Sequence, residues 1–205
     1  PHPTSPRMFE YSSELLKDAI KQLNAQNNLN FVVFTGDLTD APDPRKIKEF
    51  VSIANTLNHK WYPVLGNHDA SVGKVGGKKP IMDLYHKLTG FFKNQKGYYI
   101  TYPNNKTALI VTDFAIEGIS SANGRISQKQ LDWIDRQIKA NQDKIVIIAS
   151  HFPLIEPISS HHHKILDPSA TKLLNIINKY QNIALYTAGH YHMAKIVQHN
   201  NTIYE

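Results

Sequence analysis

The 205-residue sequence contains no cysteine, which excludes disulfides and thiolate metal ligands from any account of its stability or chemistry. That lack does not by itself assign a compartment. No apolar run approaches the ~20 residues that a membrane helix needs. No repeat, linker or low-complexity tract divides the chain. It opens on Pro1-His2-Pro3-Thr4 with no methionine and no visible signal segment, and it closes on Thr202-Ile203-Tyr204-Glu205, inside what reads as a strand. The expectation is one domain over residues 1–205, trimmed at both ends. Charge of one sign is only slightly in excess. Lys+Arg total 23 against 17 Asp+Glu, and the resulting +6 leans toward anionic partners such as phosphate esters or nucleic acid.

What the sequence does contain is a set of apolar runs that stop at polar turns. Phe31-Val32-Val33-Phe34-Thr35-Gly36-Asp37-Leu38-Thr39-Asp40 is the first, and Pro63-Val64-Leu65-Gly66-Asn67-His68-Asp69 repeats its plan. Ile145–Ala149 runs into Ser150-His151, and Ile183–Thr187 runs into Ala188-Gly189-His190-Tyr191-His192. Short apolar runs bounded by turn signals read as strands buried on both faces of a parallel sheet. The glycines allow a sharp turn at the carboxyl end of a strand, where open α/β sheets place their ligands.

Between these runs the helical signals are regular. Ser12-Ser13-Glu14 reads as a cap for a helix with Leu15, Leu16, Ala19, Ile20 and Leu23 on one face. Asp43-Pro44 opens a helix that turns Ile47, Phe50, Val51, Ala54 and Leu57 inward. It would join two parallel strands as a βαβ unit. Residues 71–80 carry three glycines and three lysines and read either as a basic loop beside the crevice or as a solvated surface loop. A helix over Ile81–Leu88 follows, then a hairpin of Tyr98–Tyr102 and Thr107–Asp113. Ser127 caps a helix with Leu131, Ile134 and Ile138 inward, and a later helix carries Leu173, Leu174, Ile176 and Ile177. Lys195–His199 and Thr202–Tyr204 pair across Asn200-Asn201.

The polar strand ends bring together Asp37, Asn67, His151, His190 and His192. Carboxylate, amide oxygen and neutral imidazole are the donors expected around a borderline divalent ion such as Mn, Fe or Zn. One bridging carboxylate can hold two such ions, which clamp the attacking and leaving oxygens of an in-line phosphoryl displacement. A water between two cations loses a proton near neutral pH and becomes the nucleophile. His68 adjoins a ligand without having to be one, so it is free to protonate the leaving alkoxide. Asp40 is placed to fix the tautomer and orientation of His68.

In these residues the chain resembles the calcineurin-like metallophosphoesterases: Gly36-Asp37-x-x-Asp40, Gly66-Asn67-His68-Asp69, His151 and Gly189-His190-x-His192. The resemblance spans nearly the whole chain. It implies two packed mixed β-sheets flanked by helices, a four-layer α/β sandwich. It also implies a dinuclear centre in which Asp37 bridges, Asn67, His151 and His190 hold one metal, His192 serves the other, and His68 is the catalytic acid paired with Asp40. Ser127-x-x-Gln130-Leu131-x-Trp133 is similar to a segment of the cyclic-nucleotide phosphodiesterase-like branch, and it is equally a capped amphipathic helix. The substrate implied is a small phosphate ester, nucleotides among the candidates.

Two departures qualify the resemblance. The family's Asp-x-His on its opening strand is missing from these residues; His2 would be its histidine were an aspartate to precede Pro1, and otherwise the motif lies upstream. Tyr191 stands where smaller residues are usual, either narrowing the crevice, stacking on a substrate base or facing the sheet. His161-His162-His163 cannot all converge on one ion and read as a loop at the crevice rim, with a substrate-phosphate contact as the alternative. Asp113 either supports the site from behind or forms a turn. A DNA-end nuclease of the same family and a non-catalytic scaffold are the rival readings. Against the first stands the lack of an aromatic-interleaved basic tract, and against the second the retained His68.

Overall fold

A computed structural model of the chain describes residues 9–70, 78–116, 121–156 and 163–205. In chain order its elements are α1 (Ser12–Asn24), β1 (Phe31–Phe34), α2 (Pro44–Ala54), β2 (Lys60–Pro63), α3 (Asn67–Ala70) and α4 (Lys79–Thr89). There follow β3 (Tyr99–Asn104), β4 (Thr107–Val111), α5 (Gln128–Ala140), β5 (Ile145–Ala149), α6 (Ser169–Ile177), β6 (Ile183–Thr187), β7 (Val197–His199) and β8 (Thr202–Tyr204).

Local side-chain caps account for the starts of two helices, α2 and α5. The Asp43 carboxylate accepts the Arg45 amide at 2.8 Å, with Pro44 in the first turn where its missing N–H costs nothing. Ser127 Oγ accepts the Gln130 amide at 3.2 Å. The expected serine cap of α1 is not formed. Tyr11 holds the cap position without a side-chain bond, and Ser13 Oγ instead donates to Glu49 Oε1 of α2 at 2.7 Å. That serine ties two helices together rather than starting one.

β1 and β2 form a parallel pair, and the other strands form a six-stranded sheet in the order β3-β4-β5-β6-β8-β7. In it β4, β5, β6 and β8 run parallel, while β3 and β7 are antiparallel to their neighbours, so the mixed character belongs to the larger sheet. Val64 and Leu65, expected inside the second strand, lie just past its end, where the Val64 amide adds one more bond to the Phe34 carbonyl at 2.9 Å.

Alternation along each strand divides the core. Tyr62, Val64, Leu109, Val111 and Ala149 meet between the sheets, with Phe31, Val33 and Ile147 packed against them. Their neighbours point the other way: Ala108, Ile110, Val146 and Ile148 to α5 and α6, and Phe34 and Trp61 to α1, α2 and α4. The result is helices, small sheet, large sheet, helices. Each fully buried Leu or Ile, such as Leu131, Ile134 and Ile138 on α5, contributes about 1.5–3 kcal/mol. Among the described residues β1 has a partner on one side only, and Ile203 of β8 stays 43% exposed on the face that Ile147 shares. That part of the large sheet is not covered by the small one. No helix among the described residues is long and apolar enough to cross a membrane.

Tyr85 of α4 is fully buried, yet its hydroxyl has no hydrogen-bond partner among the described residues. A buried donor without a partner costs about 1–3 kcal/mol. Tyr85→Phe is therefore expected to raise the free energy of unfolding by about 1 kcal/mol or more, read from urea denaturation. A lower stability would show that the hydroxyl has a partner, such as an internal water.

Candidate metal centre

The parallel strands of both sheets deliver their carboxyl ends to one edge of the sandwich. β1 leads into Gly36 and Asp37, both with positive φ (95° and 50°), and the turn after β6 repeats the device at His190 (72°) and His192 (53°). Non-glycine residues in this region cost on the order of 1–3 kcal/mol and cluster where function requires them. Close packing decides the glycines. A Cβ on Gly36 would lie 2.5 Å from His151 Nδ1. One on Gly66 would overlap the backbone nitrogen and carboxylate of Asp37. Because a backbone atom cannot swing aside, Gly66→Ala is expected to cost about 1–3 kcal/mol by overpacking and to displace Asp37. Thermal unfolding and metal titration of the variant test both effects.

The protons of the cluster can be assigned from its partners. His151 Nδ1 lies 2.8 Å from the Thr35 carbonyl, and His190 Nε2 lies 2.8 Å from the Ala122 carbonyl. A carbonyl can only accept, so these nitrogens carry the ring protons. Neutral rings then present bare His151 Nε2 and bare His190 Nδ1, only 3.0 Å apart. Asn67 Oδ1 is 3.0 Å from the same Nε2 and Asp37 Oδ2 is 3.4 Å from it. Four lone pairs converge without a proton among them, in a place where His151 is 3% and Asn67 6% exposed. Such a set of acceptors is relieved by a proton on His151 Nε2, which would pair with Asp37, or by a divalent cation among the four atoms. The ligand atoms of Asp37, His151 and His190 all lie within 4.8 Å of one another. Two imidazoles, a carboxylate and an amide oxygen fit a borderline divalent ion. Each ring is also oriented from behind by a carbonyl, as metal-bound histidines are.

The shifts below belong to the metal-free cluster, in which a protonated His151 pairs with Asp37. Burial works to raise Asp37, but the His151 ring and the His68 amide outweigh it and hold the carboxyl below the usual range. Burial, with the charge of His151, pushes His190 down to about 4, so its ring is neutral at physiological pH. Burial pushes Asp69 up to about 6 against the pull of the Gly66, Leu38 and Thr39 amides, and the nearby Asp37 carboxylate adds to the rise.

The structure brings Asp37, Asn67, His151 and His190 together. His192 is exposed and outside this cluster; it lines an open recess of about 430 Å³ with Thr35, Thr187 and Glu205. His68 is half-buried beside the cluster, its amide donating to Asp37 Oδ1 at 3.0 Å. The expected contact between the Asp40 carboxylate and His68 is not there. His68 Nδ1 meets the backbone carbonyl of Asp40 at 3.0 Å, and the carboxylate turns outward to Lys46 Nζ at 2.5 Å. An exposed carboxylate beside a flexible lysine is better solvated there than against a half-buried ring.

Asp113 is paired with the buried Lys78 at 2.6 Å, so it anchors the chain after residues 71–77 rather than backing the cluster. Tyr191 faces His163 and His190 edge-on, both at ring-centre separations of 6.0 Å. His163 sits over His190 at 5.2 Å, at the rim. His2, residues 71–77, His161 and His162 lie outside the described residues. The Thr35 and Ala122 carbonyls were missed altogether, since a backbone acceptor carries no side-chain signal.

An α/β sandwich that gathers imidazole, carboxylate and amide donors at the carboxyl ends of its strands is the scaffold of a metal-dependent hydrolase. The chain belongs to the calcineurin-like phosphoesterase family, whose pattern matches residues 9–194. It is 26% identical to a probable glycerophosphodiester phosphodiesterase of Arcobacter nitrofigilis, over 86% of this chain and 63% of that protein. It is 24% identical to a 3',5'-cyclic-nucleotide phosphodiesterase of Nostoc, over 86% of this chain and 60% of the relative. The chain thus spans somewhat under two thirds of the length of these relatives. Among solved structures, a dimetal phosphatase from Danio rerio superposes with a TM-score of 0.73 at 16% identity, covering 95% of this chain and 76% of that one. That likeness shows the shared fold.

Proposed function

We propose that the protein hydrolyses a phosphomonoester or phosphodiester of a small molecule, nucleotides among the candidates, at a dinuclear metal centre. The observation that carries the reading is the convergence of four donor atoms, His151 Nε2, His190 Nδ1, Asn67 Oδ1 and Asp37 Oδ2. These four would hold one divalent ion, of Mn, Fe or Zn type. When bound, the ions would supply the positive charge that polarises a phosphoryl oxygen and lowers the pKa of water.

The chain's own groups supply the rest. Asp37 uses Oδ1 to fix the His68 amide and leaves Oδ2 to the cluster. The Asp40 carbonyl accepts a hydrogen bond from His68 Nδ1–H, so the second proton of the imidazolium, on Nε2, is the one that would go to the leaving oxygen. Donors to a second ion would be Asp37 and His192, the latter lining the recess beside Thr35.

Elemental analysis of this chain beside one extended upstream tests the proposal, together with manganese-dependent hydrolysis of bis(p-nitrophenyl) phosphate. One metal in the shorter chain, two in the longer, and turnover chiefly in the longer are expected. Metal-free protein in both cases would overturn the proposal and favour a non-catalytic scaffold. Metal with preferential cleavage of DNA ends would favour the nuclease.

A further inference from the structure

We infer that Asp69 is a positioning residue that locks together the two loops on which the metal donors sit. Asp69 is 1% exposed and does not enter the donor cluster. Its Oδ2 accepts the Leu38 amide at 3.0 Å and the Gly66 amide at 2.9 Å. Its Oδ1 accepts the Thr39 amide at 3.0 Å and the Thr39 hydroxyl at 3.2 Å. The four acceptor positions of an ionised carboxylate are matched by four donors from two separate loops.

The donors flank the functional residues. Leu38 and Thr39 lie between Asp37 and Asp40, and Gly66 immediately precedes Asn67. Asp37 stands in a left-handed conformation (φ 50°) that its own side chain does not favour. The amides on its carboxyl side, seated on Asp69, hold it there. The same carboxylate fixes where Asn67 begins α3, and through that the distance between Asp37 and Asn67.

Asparagine cannot do this. Its NH₂ group would face at least one N–H donor, leaving a buried amide without an acceptor. Thr39→Val is the milder variant, since it removes only the hydroxyl contact. Ile138→Ala serves as a control, because Ile138 is fully buried but lies on α5, in the core cluster behind the other sheet.

The test has two arms, and the first does not depend on any metal. Amide hydrogen exchange in the metal-free protein is expected to show Leu38, Thr39 and Gly66 protected in the wild type. Asp69→Asn should expose all three together, Thr39→Val should weaken their protection in part, and Ile138→Ala should leave their order relative to the rest of the chain unchanged. In the second arm, which rests on the metal reading, Asp69→Asn is expected to weaken Mn²⁺ binding about 10–100-fold by calorimetry, while Ile138→Ala does not. Loss of protection without any Mn²⁺ binding in the wild type would overturn the metal reading and keep the clamp. Wild-type protection retained at Leu38 and Thr39, or at Gly66, in Asp69→Asn would overturn the clamp. So would Mn²⁺ affinity that falls equally in Ile138→Ala.

Discussion

His151→Ala is expected to abolish tight metal binding while leaving both sheets folded. The ring is the hub of the cluster: its Nε2 lies 3.0 Å from Asn67 Oδ1, 3.0 Å from His190 Nδ1 and 3.4 Å from Asp37 Oδ2. Substituting a partner that merely orients a ligand costs about 10–100-fold in affinity, so removing a central ligand should exceed that range. A ligand that binds only the native state at 100 times its dissociation constant stabilises by about 2.7 kcal/mol. In a domain of this size that corresponds to a midpoint rise on the order of 5–10 °C. The wild type should therefore melt higher with Mn²⁺ or Zn²⁺ and return to baseline with chelator, while the variant ignores both. The variant also loses the bond from Nδ1 to Thr35, one of the ties between the two sheets, so its metal-free midpoint should be lower. An unchanged response to metal would remove His151 from the ligand set.

The sequence revealed the fold because nearly every element is carried by a local pattern. Continuous apolar runs such as Ala108–Val111 have to bury both faces, and they do, with Ile110 on one side and Leu109 on the other. Asp43 and Ser127 start helices through contacts within three residues, and such contacts can be read from spacing. Ser13 fails for the opposite reason: its partner, Glu49, is remote in sequence and becomes available only once α1 and α2 pack. Of the site, the four converging donors were legible because each ends a strand and has a distinctive side chain. What turns them into one cluster was not. The carbonyls of Thr35 and Ala122, which decide where the imidazole protons sit, belong to residues whose side chains say nothing about it. Asp40 was misjudged on the same ground. Its value to His68 lies in its backbone, while its carboxylate is claimed by Lys46.

That distinction shapes the largest expected kinetic effect. In the active protein, His68→Ala should lower turnover of an alkyl phosphodiester by about 10²–10⁴-fold and that of a nitrophenyl ester far less. An alkoxide cannot leave without a proton, whereas nitrophenolate can. The ring is well held for the task, with its own amide on Asp37 Oδ1, its Nδ1 on the Asp40 carbonyl, and its body half-buried beside the donors. Since a carbonyl does the orienting, Asp40→Asn should turn over close to the wild-type rate and lose only an exposed ion pair with Lys46, worth about 0–1 kcal/mol. Were the carboxylate the true partner of His68, Asp40→Asn would instead follow His68→Ala, with the same dependence on leaving group. Equal losses on both esters in His68→Ala would deny it the role of acid. Measuring the two variants on the two esters therefore separates a proton donor steered by the main chain from a carboxylate–histidine pair, and separates both from a residue that only supports the loop.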